Sequence, residues 1–367
     1  MFSLLNFLTP LIGVERVHFC AVHMLRILGK IPGARWLMRK LYAVEHPSLE
    51  RDVFGIHFRN PIGMAAGFDR SGDIFRELDA LGFGFVELGT ITPQPQKGNP
   101  KPRIFKLPDD KAIINRVGLC NDGLEQVIAN MRHKNENIII GCNIGKNSAT
   151  PAEDAPYDYL RVFRNLYQYA DYFTVNVSYN TTSKQYAPRT RESIISILDP
   201  LFDFRRGQNQ YRPILLKISP DLTNEEIDMM TDIMVDTPLD GIVATNGTVR
   251  HTGLVTDAET LKRYGAGAVS GSPLTKRSIE VVRRVYERSN GTYPIIGVGG
   301  IMTPDDAKAM LEAGATLVQI CSEFVYGGAD SLRNIRLGLN ERLRKAEMAA
   351  ATTPESETKE QEESSND

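Results

Sequence analysis

Cysteine, net charge and long apolar runs are all scarce in this sequence of 367 residues. The four cysteines lie far apart and form no CxxC pair, which argues against a disulfide framework and against a zinc knuckle. The 43 basic and 45 acidic residues nearly cancel, so no global charge directs the chain to nucleic acid. No apolar stretch approaches the roughly twenty residues of a spanning helix, and no signal or transit peptide is recognisable. The histidines show no metal-ligand spacing, so we expect no metal site.

The two ends of the chain differ in composition from its middle. The final stretch, AAATTPESETKEQEESSND, is polar, acidic and free of large apolar side chains, so it cannot offset the entropy of ordering. We expect 346–367 to be a disordered acidic tail, 47–345 to be the main domain and 1–46 to be a helical segment.

The N-terminal segment combines apolar residues with an excess of positive charge. Within 1–44, six lysine and arginine residues accompany Glu15 as the only acidic residue. Apolar side chains interleaved with basic ones suit an interfacial helix, whose apolar side enters the acyl boundary while its cations meet anionic head groups. A pair of helices packed on the main domain would also account for the pattern, and the two interpretations are compatible.

From about residue 53 onward, apolar runs alternate with amphipathic stretches. The apolar runs are NPIGMAAG, FGFVELGT, NIIIGCNIG, DYFTVNVS, RPILLKISP, DGIVATNG, YPIIGVGG and TLVQICSE. The intervening stretches predict helices, for instance over 71–82, 156–170, 223–237 and 304–314. Eight strand–helix units in succession predict a (β/α)8 barrel of the TIM type. An open doubly wound sheet is the alternative, but no GxGxxG follows the first strand.

The residues that end the eight runs are small or polar. They are Ala66-Gly67, Gly89-Thr90, Asn143, Asn176, Lys217, Thr245-Asn246, Gly299-Gly300 and Cys321-Ser322. In a barrel the carboxyl ends of the strands meet at one mouth, so we expect a polar ring there that binds a flat heteroaromatic ligand. The GVGG after the seventh run lies where barrels bind phosphate through backbone N–H groups. Together these features predict bound flavin mononucleotide (FMN).

Longer motifs resemble those of a known family. The segments NPIGMAAGFD, FGFVELGTITPQPQKGNPKPRIFKL, AIINRVGL, NIGKN, LLKISPDL, GIVATN, SGSPLTKRS, IIGVGGI and LVQI are similar to those of the flavin-dependent, quinone-linked (class 2) dihydroorotate dehydrogenases. The resemblance implies an FMN-binding barrel that oxidises dihydroorotate to orotate in pyrimidine biosynthesis. It also implies an N-terminal helical pair that sits on the membrane and admits quinone, with the protein peripheral on the cytoplasmic side of the cell membrane.

The same resemblance implies roles for individual residues. The implied flavin contacts are Ala66, Gly67, Phe68, Asp69, Arg70, Thr90, Asn143, Asn176, Lys217, Thr245, Gly271, Gly300, Cys321 and Ser322. The implied substrate contacts are Arg70, Asn115, Arg116, Val117, Gly118, Leu119, Asn176, Thr181, Asn246 and Gly247. His18 and Arg103 correspond to residues beside the quinone path. Tyr179 stands at the position of the catalytic base, with Ser178 as the adjacent alternative.

Several positions at the centre of this implied site depart from the family pattern. The departures are Arg70 for lysine, Tyr179 for the serine base, Thr181 for an asparagine, Leu119-Cys120 for Phe-Asn, Gly247 within TNTT, and Glu323 for glycine. Arg70 keeps the positive charge, whereas a tyrosine, with a reference pKa near 10, needs strong activation to act as a base at neutral pH. Glu323 adds an anion beside the expected phosphate, which is unfavourable unless its side chain points away.

These departures leave two hypotheses open. In the first, the chain oxidises dihydroorotate with quinone as acceptor and the altered loop retunes the pocket. In the second, the chain is a diverged paralog that binds FMN but has lost the base, and it acts on another substrate or is inactive. We adopt the first as the working hypothesis.

Overall fold

The computed structural model of the protein describes residues 13–132, 134–135, 137–177 and 190–352. Its strands are β1 (Arg51–Val53), β2 (Ile56–Phe58), β3 (Ile62–Met64), β4 (Phe85–Ile91), β5 (Ile104–Leu107), β6 (Ala112–Asn115), β7 (Ile140–Ile144), β8 (Tyr172–Asn176), β9 (Ile214–Ile218), β10 (Gly241–Ala244), β11 (Ala268–Gly271), β12 (Ile295–Val298) and β13 (Leu317–Ile320). Its helices are α1 (Val14–Leu28), α2 (Ala34–Tyr42), α3 (Phe75–Ala80), α4 (Gly123–Met131), α5 (Ala155–Leu166), α6 (Arg191–Arg206), α7 (Asn224–Asp236), α8 (Ala258–Tyr264), α9 (Thr275–Arg288), α10 (Pro304–Glu312) and α11 (Ser322–Thr352).

Eight parallel strands close into a barrel, in the spatial order β10-β12-β13-β3-β4-β7-β8-β9, with β9 paired back to β10. Each barrel strand lies inside one of the eight apolar runs of the sequence, except that β4 extends one residue past its run, to Ile91. The predicted TIM barrel is therefore confirmed, and the open doubly wound sheet is excluded. Helices cover the outside of the strands and side chains fill the inside, which is why these segments read as continuous apolar runs.

Side chains inside the barrel form layers, because every second residue of a strand points inward. The lower layer is apolar and contains Phe85, Tyr172, Leu215, Val243, Ile296 and Leu317. The β1–β2 hairpin closes this end of the barrel, since Val53 and Phe58 pack into the same cluster. Two residues further along their strands, the next layer is polar and contains Glu87, Thr174, Lys217 and Gln319. This polar layer lies directly beneath the mouth.

Local sequence signals set the ends of several helices. Thr223 caps α7 and Thr303 caps α10, each through a capping box with the residue three positions later. The helices expected around α5, α7 and α10 are confirmed. The helix expected over 71–82 is shorter than predicted, because the Asp69 carboxylate accepts backbone N–H groups and holds the first part of this stretch as a turn.

A second sheet, antiparallel and three-stranded in the order β11-β6-β5, stands beside the mouth. Asn115 at the end of β6 and Gly271 at the end of β11 line the cavity described below. These three strands were not predicted from the sequence. They form one wall of the site.

The first N-terminal helix docks on the barrel through apolar and charged contacts. Helix α1 buries Val17, Ala21 and Leu25, whose spacing of four residues places them on one face. Arg26 of the same helix lies 3.2 Å from a carboxylate oxygen of Asp73. Its sequence pattern is thus that of a surface helix packed on the main domain.

Helix α2 docks on the barrel through ion pairs, together with partly buried Met38 and Tyr42, which pack against the core. Arg35 Nε lies 2.9 Å from Glu77 Oε1, and Arg39 pairs with Asp79. Glu77 and Asp79 are both buried on α3. Arg35 and Arg39, two of the basic residues that suggested contact with lipid head groups, therefore hold the helix on the barrel.

The C-terminal helix α11 runs to Thr352 with a break at Gly328, where φ is 65°. Residues 346–352 are therefore helical, although the sequence placed them in the tail, and 353–367 lie outside the described residues. Among the described residues, no helix is both long and apolar enough to cross a membrane.

Candidate active site

The carboxyl ends of the barrel strands open onto one cavity with a volume of about 240 Å³. A water molecule takes about 30 Å³ of the liquid, so this space suits a ligand better than a few ordered waters. Most of the predicted site residues line it: Ala66, Gly67, Thr90, Asn115, Arg116, Val117, Gly118, Leu119, Asn176, Lys217, Thr245, Asn246, Gly247, Gly271, Gly300, Cys321 and Ser322. The barrel thus gathers strand ends that are distant in sequence.

A smaller compartment of about 80 Å³ shares Gly67 and Asn176 with the main cavity. Arg70, Cys120 and Asn143 line this compartment. Arg70 Nε donates a hydrogen bond to the Gly67 carbonyl oxygen at 3.1 Å, which fixes the guanidinium at the rim. Residues implied for the flavin and residues implied for the substrate line both spaces, so the two spaces belong to one site.

A chain of side-chain hydrogen bonds runs from the mouth into the barrel. Asn246 Nδ2 donates to Asn176 Oδ1 at 3.1 Å, and Asn176 Nδ2 donates to Thr90 Oγ1 at 3.0 Å. The Thr90 hydroxyl donates to Asn143 Oδ1 at 2.6 Å, and Asn143 Nδ2 donates to Glu87 Oε1 at 2.8 Å. Polar side chains from four strand ends are thus oriented by one another.

Positive charge faces the cavity from two sides. Lys217 is buried at the end of β9, with its Nζ 3.8 Å from Glu87 Oε1, and Arg70 lies at the rim. Burial raises the pKa of the Cys321 thiol to about 11, although Lys217 and Arg70 act in the opposite direction. Cys321 is therefore a neutral thiol at physiological pH and lines the cavity as an apolar group.

Backbone groups form the other end of the cavity. Gly300 has φ of 76°, and a Cβ atom added there would lie 2.3 Å from the Thr275 backbone nitrogen. Helix α11 begins at Ser322, which lines the cavity together with Cys321. The first N–H groups of a helix lack intrahelical partners, and the helix dipole favours negative charge there. This end of the cavity suits a phosphate group.

Glu323 does not compete with an anion at this end. Its carboxylate lies over the next turn of α11, beside Gly327, and accepts a hydrogen bond from Ser331. Glu323 is absent from the residues that line the cavity within the described ranges, and burial raises the pKa of its carboxyl. The Glu323 side chain therefore points away from the cavity, so glutamate in place of glycine does not disfavour a phosphate there.

Phe68 and Asp69 lie behind the cavity wall rather than in it. The Phe68 ring contacts the rings of His18 and Phe324, with centroids 4.9 and 5.2 Å away. The Asp69 carboxylate accepts two backbone N–H groups of the following turn, at 2.8 and 3.0 Å. Burial raises the pKa of Asp69 to about 6. Both residues shape the turn that presents Gly67 to the cavity.

The two residues assigned to the quinone path lie between α1 and the barrel. His18 of α1 is half-buried against Phe68, and burial lowers its pKa to about 4, with a further contribution from the nearby charge of Arg70. Arg103 is buried and donates from Nε and Nη2 to Glu15 Oε1 at 3.0 and 2.8 Å. His18 is therefore neutral at physiological pH, and Arg103 holds α1 in place.

The segment that follows β6 is held by its own hydrogen bonds. Asn115 Oδ1 accepts the Val117 backbone N–H at 2.8 Å, and Arg116 donates to the Ala266 carbonyl at 3.2 Å. Arg116 therefore lines the cavity while its guanidinium is engaged with the backbone near β11.

Three residues assigned to catalysis and substrate binding are not placed by the structure. Ser178, Tyr179 and Thr181 lie outside the described residues, which omit 178–189. Their roles remain predictions.

The polar layer under the mouth was not predicted from the sequence. Glu87 is completely buried and accepts hydrogen bonds from Asn143, Gln319 and Tyr172. A single carboxylate inside the apolar run FGFVELGT is the signal that would have found it, since buried charges need partners. The partners could not be named, because they come from other strands.

Comparisons with known proteins agree with this geometry. The family model described as dihydroorotate dehydrogenase matches residues 48–343. A dihydroorotate dehydrogenase (quinone) from Christiangramia forsetii is 44% identical over 321 residues, covering 88% of this chain and 93% of the relative. One from Nocardia farcinica is 40% identical over 345 residues, covering 94% of each chain. The crystal structure of DHODH in complex with ferulenol from Eimeria tenella matches with a TM-score of 0.83 at 30% identity, over 94% of this chain and 96% of that one. The chain belongs to the dihydroorotate dehydrogenase family, whose members are in general flavin-dependent.

Proposed function

We propose that this chain catalyses the FMN-dependent oxidation of dihydroorotate to orotate, with a quinone as electron acceptor. The observation that carries the proposal is the cavity at the barrel mouth, where side-chain amides, a lysine and a glycine-containing backbone face the same space. Family membership supports it, and the relatives from Christiangramia forsetii and Nocardia farcinica carry the quinone-dependent name.

FMN fits the residues present at this cavity. Gln319 lines the cavity, and its Oε1 has no hydrogen-bond partner within the part of the chain that the structure describes. A heteroaromatic ligand with N–H donors is chemically suited to such a site. Lys217 supplies positive charge, while Gly300 and the start of α11 suit the phosphate. The residues that we propose to hold FMN are Ala66, Gly67, Arg70, Thr90, Asn143, Asn176, Lys217, Thr245, Gly271, Gly300, Cys321 and Ser322.

The side chains at the mouth suit a pyrimidine that carries two carbonyls and a carboxylate. Asn176 and Asn246 are linked by a hydrogen bond and line the cavity, so their amide groups are held in place before substrate arrives. Bound flavin supplies the acceptor for the hydride that leaves C6 of the substrate. Lys217 and Arg70 both line the smaller compartment, and their positive charge would stabilise the negative charge that a bound flavin gains on reduction.

Oxidation also requires a base that removes the proton from C5 of dihydroorotate. We assign the base to the segment after β8, with Tyr179 at the corresponding position and Ser178 as the alternative. The C5 proton passes to this base and the C6 hydride leaves as the double bond of orotate forms. The quinone then takes up two electrons and two protons and becomes a quinol.

The test of the function measures both products at once. Purified protein loaded with FMN is mixed with dihydroorotate and a short-chain quinone, and orotate and quinol are quantified separately. We expect them to form in a ratio of one to one, and no quinol without dihydroorotate. Quinol without orotate, or no turnover by flavin-loaded protein, would refute the assigned reaction.

We further propose that the N-terminal helices rest on the cytoplasmic surface of the cell membrane and admit quinone past His18 and Arg103. Large apolar side chains cluster in this segment with about half or more of their surface exposed: Phe19, Ile27, Ile31, Trp36, Leu37 and Leu41. Several of its basic residues pair with acidic residues of the barrel. The support therefore comes from the apolar surface more than from charge.

Vesicle sedimentation tests this attachment. We expect a Trp36→Ser/Leu37→Ser/Leu41→Ser variant to lose most binding to vesicles that the unaltered chain binds, while flavin reduction by dihydroorotate stays unchanged. A Tyr211→Ser/Val255→Ser variant is the control, because these two side chains are each more than half exposed but lie outside the N-terminal helices. Equal vesicle binding by the two variants would refute the proposed surface.

A further inference from the structure

Glu87 is a completely buried carboxylate in the polar layer beneath the mouth. Transfer of a carboxylate from water into a protein interior is strongly unfavourable unless it is paired and hydrogen-bonded. Within the described part of the chain, five contacts of Glu87 come from four other barrel strands: β7, β8, β9 and β13. None of the roles assigned above uses this residue.

The two oxygens of Glu87 face different groups. Oε1 accepts Asn143 Nδ2 at 2.8 Å and lies 3.8 Å from Lys217 Nζ. Oε2 accepts Gln319 Nε2 at 2.7 Å, together with the hydroxyls of Tyr172 and Thr174, each at 3.2 Å. Oε1 is therefore the oxygen next to Asn143 and Lys217, the two residues through which Glu87 can influence a bound flavin.

A carboxylate at the inner end of the hydrogen-bond chain fixes the direction of that chain. An ionised carboxylate only accepts hydrogen bonds, so Asn143 must present its NH₂ to Glu87 and its carbonyl to Thr90. The Thr90 hydroxyl then donates inward and accepts from Asn176, which in turn accepts from Asn246. Every donor in the chain points toward Glu87.

The same carboxylate lies against the lysine of the cavity. Both groups are buried, so their interaction is screened less than it would be at the surface. A ligand beside Lys217 therefore experiences the ammonium together with the opposing charge of Glu87.

We infer that Glu87 is a positioning residue for the reaction: it orients the Asn143–Thr90–Asn176–Asn246 chain toward the pyrimidine and reduces the positive charge that Lys217 presents to the flavin. The inference rests on the proposed function. It predicts two separate effects of Glu87, one on ligand binding through the amide chain and one on flavin reduction through charge.

The test uses the full-length, flavin-loaded protein and the Glu87→Gln variant. The midpoint potential of the flavin is measured by equilibration with a redox dye, and orotate is titrated while the flavin absorbance is followed. We expect a more positive potential, because the charge of Lys217 is no longer opposed. We also expect orotate to bind at least tenfold more weakly, because glutamine can donate as well as accept and no longer fixes the chain.

Two further variants separate positioning from general damage to the fold. Thr174→Val removes a contact on the Oε2 side of Glu87 and should leave both the potential and the orotate affinity unchanged. Glu87→Asp keeps the charge but withdraws it from Asn143, so orotate should bind more weakly while the potential stays near that of the unaltered chain.

An unchanged potential and unchanged orotate affinity in Glu87→Gln would overturn the inference. If Glu87→Gln does not fold, Glu87→Asp provides the test. Unchanged orotate affinity in Glu87→Asp would overturn the orienting role of Glu87. The potential requires only bound flavin, so a potential shift in a protein that dihydroorotate does not reduce would refute the proposed function while supporting the charge effect of Glu87.

Discussion

The ion pair between Glu15 and Arg103 should control how firmly α1 stays docked on the barrel. Arg103 is buried beside the segment that leads into β5, and both Nε and Nη2 donate to Glu15 Oε1. Glu15→Gln removes the charge but keeps the shape of the side chain. Arg103 retains the carbonyls of Lys97 and Asn99, at 2.7 and 3.0 Å, so its guanidinium is not left without acceptors.

The size of the effect follows from these contacts. Breaking a buried ion pair costs about 3–5 kcal/mol when one charge is left unpaired, and hydrogen bonds to charged groups contribute about 1.5–3 kcal/mol. Because a glutamine oxygen still accepts a hydrogen bond and Arg103 keeps two carbonyl acceptors, we expect a loss below the range for an unpaired charge, about 2 kcal/mol. Burial of Val17, Ala21 and Leu25 contributes about 4 kcal/mol to docking. The loss is therefore a large part of the free energy that holds α1.

Hydrogen exchange of backbone amides measures this docking directly. A loss of about 2 kcal/mol corresponds to roughly thirtyfold faster exchange through local opening, since 1.4 kcal/mol is a factor of ten. We expect this acceleration in α1, with the barrel strands unaffected. Glu50→Gln is the matched control, because Glu50 is exposed and lies 3.8 Å from its His57 partner. Unchanged exchange in α1, or equal acceleration in the barrel, would refute the reasoning.

Two further predictions concern pH and cofactor binding. Burial lowers the pKa of His18 from 6.5 to about 4, so the unfolded chain binds a proton in this window that the folded chain does not, and stability falls as pH drops through it. At pH 4 this costs the unaltered chain on the order of 3 kcal/mol of unfolding free energy, and His18→Leu should remove that loss in denaturant titrations. Parallel curves of unfolding free energy against pH for the variant and the unaltered chain would contradict this. Asp69, whose pKa is raised to about 6, contributes with the opposite sign, but its contribution is the same in both chains and cancels. Gly300→Ala should weaken FMN binding more than tenfold, because the new Cβ would lie 2.3 Å from the Thr275 nitrogen. Gly253→Ala shares the positive φ, at 80°, but meets no atom within 4 Å, so equal FMN affinity of these two variants would show that the crowding at Gly300 does not matter.

Local patterns were sufficient to predict the barrel and most of its mouth. Each strand is a continuous apolar run that ends in a small or polar residue, and closure of the barrel alone brings Asn143, Asn176 and Lys217 together. The motifs of the family resemblance then located Asn115 and Gly247, which also line the cavity.

Features that depend on long-range pairing could not be predicted in this way. Strand β11 pairs with β6 across about 150 residues of chain, and neither strand is marked by a turn signal that links the two. The partners of Glu87 come from four other strands, so its run shows only an isolated charge. The basic residues of the N-terminal segment were associated with lipid, but Arg35 and Arg39 meet Glu77 and Asp79 of the barrel. Composition alone cannot show whether a basic residue pairs with a lipid head group or with an acidic residue of the barrel.

The most direct measurement is a single anaerobic mixing of flavin-loaded protein with one equivalent of dihydroorotate, followed at the absorbance band of oxidised flavin. We predict that the band bleaches as orotate appears in equal amount, because the strand ends at the barrel mouth hold flavin and pyrimidine together. A band that persists while dihydroorotate remains unconsumed would contradict the assignment of this cavity.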